Sequence, residues 1–323
     1  MTGTMASLRV SVGYVYLMEL LPKKGKTFVT TIWCIQEACI SLFGVVYFWV
    51  ISKHWFYFGL IGYFLCAGSV TLLFFMPESP AFLINVGKIE KANIIFAKIA
   101  KMNGKEFDLD ISSIGKVNTG ETSEKTADIS MIEDLKPVSW YLKQRKVFIN
   151  LILMSFVWLT TSFGYYLIMM LTNTFDNVYA SALVSAISEI VAYIISGLFY
   201  EKIGVKLSLI LSFAISFVGG ILILAWGLDN EGSALFLIFF LFAKFGVTCC
   251  FNINYIANIY FFPTLFASTA LGFCNFLARI FSATSYFVSE MKEPTPMYLF
   301  TGLCGFTAVA SFFLRTEKTE KNV

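Results

Sequence analysis

Four ionisable side chains lie inside well-defined apolar stretches of this 323-residue sequence: Glu37, Glu189, Lys244 and Arg279. An ionisable group at the centre of a bilayer costs about 2.5–3.5 kcal/mol on insertion scales, so such groups usually face a cavity or a partner. A carboxylate and a guanidinium in these positions suit the binding of a charged solute. They suit equally a structural ion pair between Glu189 and Arg279, and both interpretations stay open. For Lys244 we favour a stem that reaches toward the membrane surface, or a pair with a carboxylate.

The stretch TSFGYY places three aromatic residues, Phe163, Tyr165 and Tyr166, within about one helical turn. Aromatic rings can line a cavity in which they stack on organic ions or attract cations. With 35 Phe and 15 Tyr in the chain, packing is the default role of any one ring. These three residues are therefore candidate substrate contacts that compete with a packing interpretation.

Asn252, Asn254 and Asn258 are amides within another apolar stretch. They do not form a single stripe, although Asn254 and Asn258 share a helical face because they are four residues apart. Such side chains either form hydrogen bonds across membrane helices or contact a polar solute. We favour the hydrogen bonds and retain Asn254 as a candidate substrate-binding residue.

The sequence carries no catalytic or metal-binding constellation. Its single histidine, His54, excludes a histidine-based metal cluster, and it has no Gly-rich phosphate loop or nucleophile motif. All seven cysteines lie in apolar stretches without paired spacing, which is typical of packing residues. We expect neither an enzyme nor a metal site nor a bound cofactor, and a net charge of +3 is too small to indicate nucleic-acid binding.

Composition indicates a polytopic membrane protein. Hydrophobic residues make up 57% of the chain and charged residues 14%, and the mean hydropathy is +0.73. A membrane helix needs about 20 apolar residues, and backbone groups in lipid must be satisfied within the helix, so we predict an all-α bundle. The predicted spans number about nine: a weak one at 1–21 and eight at 27–51, 55–76, 147–171, 178–200, 206–228, 233–256, 264–289 and 297–314.

The basic residues predict the orientation of these spans. If the first span runs from outside to inside, nineteen of the 24 Lys and Arg residues fall on one side. Positive residues concentrate on the cytoplasmic side of membrane proteins. We therefore place the long segment 77–146 and the C-terminal tail in the cytoplasm.

The segment 77–146 begins with an amphipathic pattern. The stretch GKIEKANIIFAKIAKMNG sets Ile89, Ala92, Phe96 and Ile99 on one helical face and its lysines elsewhere. This pattern is suited to a helix that lies along the cytoplasmic membrane surface. Residues 103–136 are polar and rich in Ser, Thr, Asp and Lys, and we interpret them as a loosely ordered linker.

Several motifs occur in the order found in one transporter family. MPESPAFLINVGKIEKA (76–92) resembles the PESPRWLL segment that follows the sixth helix in the organic-ion and sugar-porter branch of the major facilitator superfamily. ELLPKKGK resembles the E-x-x-P-x-x-x-R signature after the fourth helix, and LFYEKIGVK resembles the D-R-x-G-R-R/K turn between helices eight and nine. TSFGYY is similar to the seventh helix of organic cation and anion transporters, and FFPTLFASTALGFCNFLARI to their later PT-x-x-R stretch.

The resemblance implies an incomplete major-facilitator fold. Only three spans precede the PESP segment, so the family's first three helices have no counterpart here. The resemblance then assigns 1–76 to a residual N-terminal bundle equivalent to helices four to six, 77–146 to the cytoplasmic loop and 147–323 to a C-terminal six-helix bundle with its tail. We expect a truncated or remnant transporter, whose missing helices are supplied either by a second chain or by nothing.

The resemblance also implies a gating charge network at the cytoplasmic helix ends. Glu19, Lys26 in the family's arginine position, and Glu78 match its first half, and Glu201 and Lys202 match the turn between helices eight and nine. Such charges lock helix ends by pairing and by neutralising helix dipoles. Uncharged residues replace the second-half copy of the glutamate–arginine pair, which weakens the expected latch.

The same resemblance bears on the solute. Glu189 lies twelve residues before Glu201, a spacing similar to that of a cavity glutamate in organic-ion transporters. Arg279 stands where anion-type and synaptic-vesicle-type relatives carry arginine. The implied function is transport of a small organic solute, with an organic anion or zwitterion favoured, by alternating access across an unspecified membrane. The alternative is a non-transporting membrane protein that keeps the fold as a structural or assembly subunit.

The charge distribution makes a testable prediction about topology. Because basic residues concentrate after spans one, three, five and nine, the 77–146 loop and the C-terminal tail should be cytoplasmic and Met1 should not. Protease digestion of sealed membranes carrying a tag at each end should cleave one tag and spare the other. Equal protection or equal cleavage of the two tags would contradict the nine-span arrangement.

Overall fold

The computed structural model describes residues 12–22, 25–85, 88–105, 138–171, 178–227 and 234–315. These residues form helices joined by short turns, and no strand occurs within the ranges just given. The predicted linker at 103–136 lies almost entirely outside them.

The helices are numbered in chain order. They are α1 (12–20), α2 (Lys26–Val46, continued as a π-helix over Tyr47–Ile51), α3 (Trp55–Leu73), α4 (Pro80–Asn85), α5 (Ile89–Met102), α6 (Val138–Lys143), α7 (Arg145–Leu171), α8 (Val178–Leu222, continued as a π-helix over Ile223–Gly227), α9 (Ala234–Phe261), α10 (Thr264–Ser282), α11 (Thr284–Ser289) and α12 (Thr295–Ser311).

Six stretches of the described residues are long and apolar enough to cross a membrane. They are Lys26–Ile51, Trp55–Leu73, Arg145–Leu171, Val178–Trp226, Leu235–Phe261 and Phe266–Ser289. Val178–Trp226 has 49 residues, or about 74 Å of helix, which is more than twice the thickness of a bilayer core. It therefore contains the predicted span 178–200 and residues 206–226 of the predicted span 206–228. The polytopic all-α fold expected from the sequence is confirmed.

The break inside α8 falls at Gly204. Its backbone has φ 78° and ψ 169°, a conformation that glycine adopts readily and that other residues adopt only with strain. The glycine of the EKIGVK turn thus ends one membrane helix and starts the next. Its place agrees with the predicted turn between these two spans.

The other predicted spans correspond to the remaining helices. α12 has 17 residues and lies within the predicted span 297–314 but for its first two residues. α1 falls inside the predicted span 1–21, of which residues 1–11 lie outside the described ranges. No residue of α3 is buried, so this apolar helix presents all its sides to its surroundings, as a lipid-facing helix does.

The described chain forms two compact units. One comprises Met1–Lys23 and Gly59–Trp140, and the other comprises Lys24–Phe58 and Tyr141–Val323. In the first unit α4 packs on α5. In the second, α8 packs against α9, α12 and α2, and α7 packs against α10, α9, α11 and α12. The assignment of 1–76, 77–146 and 147–323 to family bundles stays a prediction.

An asparagine fixes the ends of two helices in the second unit. Asn150 Nδ2 on α7 donates to the Arg315 carbonyl at 2.9 Å, and the Arg315 N–H donates back to Asn150 Oδ1 at 3.0 Å. Arg315 follows the end of α12, where carbonyl groups lack helical partners. This reciprocal pair holds the start of α7 against the end of α12.

Small residues allow α8 and α9 to approach closely. A Cβ atom added at Gly246 of α9 would lie 2.5 Å from the Ser212 carbonyl oxygen and 2.6 Å from the Ser216 nitrogen of α8. Membrane helices lack a hydrophobic driving force for association, so they rely on such close backbone packing. Ser216 Oγ adds a hydrogen bond to the Ala243 carbonyl at 3.1 Å.

This packing predicts the effect of one methyl group. Gly246→Ala should lower the melting temperature of the detergent-solubilised protein by several degrees, because overpacking costs about 1–3 kcal/mol. Gly272→Ala is the matched control, since a Cβ atom there meets nothing within 4 Å. A thermal melt in which both variants behave like the parent protein would contradict the close approach.

Candidate functional site

A buried ion pair joins α8 to α9. Lys244 Nζ lies 2.6 Å from Glu189 Oε1, and the two side chains are 4% and 7% exposed. Two unit charges at this distance and depth stabilise each other far more than a surface pair does, and each offsets the desolvation of the other. Glu189 is therefore paired with Lys244, and not with Arg279 as one of the sequence interpretations had it.

Hydrogen bonds hold both members of the pair. Ser185 lies four residues before Glu189 on the same face of α8, and its Oγ accepts a hydrogen bond from Lys244 Nζ. Tyr165 OH of α7 donates to Glu189 Oε2 at 3.3 Å. Three helices thus converge on one carboxylate and one ammonium group.

Arg279 of α10 lies in a different polar environment. Its Nη1 donates to Tyr166 OH at 2.6 Å, and its guanidinium carbon is 6.0 Å from the centre of the Tyr166 ring. Within the described residues, no carboxylate oxygen lies within 4.0 Å of its nitrogens. The guanidinium is half-buried and keeps donors for a further acceptor, since it has five N–H groups.

Two adjacent tyrosines connect these groups. Tyr165 contacts the ion pair and Tyr166 contacts Arg279, and the two rings meet edge to face with their centres 5.5 Å apart. Tyr165 also packs on Phe251 of α9 with a centre distance of 5.3 Å. Both tyrosines are half-buried, so they form an aromatic wall between the two charged groups.

Phe163, the third predicted aromatic contact, is part of the packing. Its ring is buried and lies 5.5 Å from the ring of Phe281 on α10. Its neighbour Gly164 is equally tight, because a Cβ atom there would lie 3.1 Å from Phe300. The role of Phe163 in substrate binding stays a prediction.

The buried asparagines of α9 form hydrogen bonds across helices, as favoured from the sequence. Asn254 Nδ2 donates to Thr161 Oγ1 of α7 at 2.9 Å, and Asn258 Nδ2 donates to the Ala267 carbonyl at 2.7 Å. The amide oxygens of both residues are buried and have no hydrogen-bond partner within the described residues. The role of Asn254 as a solute contact stays a prediction, since its side chain is fully buried.

Asn252 links three helices. Its Nδ2 lies 2.7 Å from Ser196 Oγ of α8 and 3.2 Å from Thr31 Oγ1 of α2. The two hydroxyl groups donate to the carbonyls of Tyr193 and Thr27, respectively, so their oxygens accept from the amide. This three-helix contact was not predicted, because sequence spacing carries no information on which helix faces another.

The predicted gating residues lie in both units. Glu19 and Glu78 are exposed in the first unit, and Glu201 and Lys202 are exposed in the second, where Lys26 is half-buried. Glu201 and Lys202 precede the Gly204 break by one turn or less. The joint action of these five charges stays a prediction.

The described residues contain no group of three or more His, Cys, Asp or Glu side chains able to hold a metal ion. The site therefore offers ionic contacts, hydrogen bonds and aromatic faces. Lys244 pairs with a carboxylate, which is one of the two interpretations favoured from the sequence. The free-energy cost of burying the Lys244 charge predicts that it has a partner. The structure was needed to identify that partner as Glu189.

Comparisons with known proteins point in one direction. The family model described as "Sugar (and other) transporter" matches residues 14–321. Solute carrier family 22 member 21 of Mus musculus is 28% identical over 248 residues, which is 75% of this chain and 42% of the relative. Organic cation/carnitine transporter 2 of Homo sapiens is 28% identical over 249 residues, which is 76% of this chain and 43% of the relative.

A longer alignment is found with solute carrier family 22 member 6-A of Xenopus laevis. It is 25% identical over 328 residues, which is 97% of this chain and 51% of that protein. The chain thus spans about half, or somewhat less, of the length of the relatives it matches. All of these proteins are carriers or transporters by name.

The buried ion pair makes a prediction about stability. Lys244→Met leaves Glu189 unpaired and should destabilise the protein by about 3–5 kcal/mol, whereas Lys244→Met with Glu189→Leu should recover most of that loss. The measurement is the melting temperature in detergent, with Lys202→Met as control because Lys202 is an exposed lysine of α8, the helix that carries Glu189. A double variant no more stable than Lys244→Met would show that the two charges are not coupled.

Proposed function

This chain belongs to the sugar (and other) transporter family of the major facilitator superfamily, and from that premise we propose that it carries a small organic solute across a membrane by alternating access. It is an integral multi-pass membrane protein, and its family consists of transporters rather than enzymes. In alternating access, groups of helices rock about a central site without making or breaking covalent bonds. We propose this transport activity for the chain acting either by itself or together with helices of a second chain.

The charge balance at the tyrosine pair carries the proposal. Glu189 and Lys244 neutralise each other at 2.6 Å, and Arg279 has no ion-pair partner within the described residues. Glu37, an exposed carboxylate of α2, acts electrostatically on Tyr165. Glu189, Lys244 and Arg279 by themselves leave one net positive charge, on Arg279, beside the aromatic wall. A carboxylate or sulfonate on the solute matches this charge, because a guanidinium binds such groups through parallel hydrogen bonds.

The aromatic wall extends the class of candidate solutes from organic anions to zwitterions. The faces of Tyr165 and Tyr166 attract a cationic group through their ring electrons. A zwitterion would place its anionic end on Arg279 and its ammonium end on these rings. Carnitine is such a molecule, and it stands in the name of one relative, organic cation/carnitine transporter 2. We therefore propose an organic anion or zwitterion as the solute.

The contact between α2 and α8 supports a rocking motion. Near the start of α2, a Cβ atom at Gly197 would lie 2.9 Å from Thr31 Oγ1. Near its end, Trp49 stacks on Tyr179 with ring centres 6.4 Å apart. The helices run antiparallel, and about 27 Å of helix separates the two contacts, close to the thickness of a bilayer core. Opening either side of the site would break one contact and leave the other as a hinge.

The proposal predicts how substitutions change solute binding. Arg279→Ala should weaken binding of carnitine to the purified protein about 10- to 100-fold, because a hydrogen-bonded charge contributes about 1.5–3 kcal/mol. Glu189→Gln should weaken it less, since Glu189 is engaged with Lys244. Arg145→Ala is the matched control, an exposed arginine at the start of α7. Arg279→Lys should recover part of the affinity.

Three solute probes separate the possible outcomes. Carnitine supplies both charges, choline only the cation and benzoate only the anion. Choline binding that survives Arg279→Ala would overturn the charge assignment. Absence of binding and of flux in proteoliposomes for all three probes would favour the alternative, a non-transporting membrane protein that keeps the fold as an assembly subunit.

A further inference from the structure

One face of α5 combines lysines with exposed apolar side chains. Lys91, Ile94, Lys98, Lys101 and Met102 follow one another at intervals that place them on one side of the helix. All five are exposed, and Ile94 and Met102 are 68% and 80% exposed. We call these five residues the lysine face.

The helical hairpin fixes the direction of this face. Ala92, on the opposite side of α5, is fully buried, as is Leu83 of α4. The Lys88 N–H closes the turn by donating to the Leu83 carbonyl at 2.8 Å. α5 therefore cannot rotate to bury Ile94 and Met102 without separating from α4.

The hairpin is tied to the membrane helices of its own unit. Six residues separate the end of α3 at Leu73 from the start of α4 at Pro80, a reach of about 20 Å when fully extended. Tyr16 OH of α1 donates to the Pro77 carbonyl within this connection at 2.7 Å. The start of the hairpin thus lies within about 20 Å of the end of α3, a helix long and apolar enough to cross a bilayer.

Its charge selects the kind of surface that it fits. Residues 77–105 contain five lysines and two glutamates, a net charge of +3. Exposed apolar side chains among lysines are typical of helices that lie at the headgroup boundary of an anionic membrane. A purely apolar partner would leave the ammonium groups without counter-charges.

We propose that the lysine face binds anionic phospholipid headgroups, with Ile94 and Met102 at the boundary between headgroups and acyl chains. Lys98 and Lys101 contribute most, because Lys91 lines a crevice together with the carboxylate of Glu78, which offsets its charge. The inference does not depend on transport. If the proposal holds, the fraction of anionic lipid in the bilayer determines how strongly the α4–α5 hairpin attaches to the membrane surface.

A fluorescent label tests the proposal in the full chain. Met102→Cys carries an environment-sensitive fluorophore, in a background with Cys39→Ala and Cys66→Ala because these are the exposed native cysteines. Quenching by lipids with a nitroxide near the headgroup should be about twofold stronger in bilayers of about 30% phosphatidylserine than in phosphatidylcholine alone. About 0.5 M NaCl should remove most of the difference, because it shortens the screening length to a few ångströms.

Two double variants assign the effect to the lysine face. Lys98→Gln with Lys101→Gln should abolish about half or more of the lipid-dependent difference, since each lysine near the surface contributes separately. Lys143→Gln with Lys146→Gln is the matched control, as it removes the same charge from exposed lysines outside α5 and should leave the difference intact. The salt titration of the labelled Met102→Cys chain needs no lysine substitution and guards against misfolding.

Three outcomes would overturn the proposal. Equal quenching in the two bilayers would show that headgroup charge is irrelevant, and equal losses in the two double variants would show that net charge alone acts. A label that no lipid quencher reaches would show that something other than lipid covers the face.

Discussion

The mutual burial of Glu189 and Lys244 is the constraint on which the candidate site depends. Burying either charge without the other would destabilise the helix bundle by about 3–5 kcal/mol. Their 2.6 Å contact therefore requires α8 and α9 to face each other at one rotation about their axes and at one depth. Tyr165 and Ser185 complete the coordination and align α7 with the same point. Because this pair is neutral overall, Arg279 is left as the positive charge beside Tyr166.

Close backbone packing supplies the rest of the cohesion in the second unit. Lipid is as apolar as the side chains, so helices gain little from hydrophobic burial and depend on fit and hydrogen bonds. Gly246 against Ser212 and Ser216 illustrates the fit. The Thr160–Thr307 hydroxyl pair at 2.7 Å and the Asn150–Arg315 pair illustrate the hydrogen bonds. Small and weakly polar residues therefore provide the close helix packing in this bundle that leucine side chains provide in the core of a soluble protein.

The class of the protein and the positions of its spans were predictable because a bilayer imposes a length and a polarity on each helix. The EKIGVK turn was predictable for a related reason, since a glycine beside charges interrupts an apolar run. The cost of buried charge also singled out Glu189 and Arg279. Their partners were not predictable, because whether Glu189 meets Lys244 or Arg279 depends on the rotation of three helices about their axes. Hydrogen bonds across helices were expected for Asn252, but its partner Thr31 was not predictable for the same reason, because their contact joins residues far apart in the chain.

The order of synthesis adds a requirement to the Glu189–Lys244 pair. Lys244 follows Glu189 by about 55 residues, so at about 5–20 residues per second the ribosome delivers it roughly 3–11 s later. During that interval α8 has left the ribosome and its carboxylate has no ammonium group to meet. The helix must therefore wait beside the insertion machinery until α9 arrives. Completion of the bundle is thus tied to the pace of translation through this part of the message.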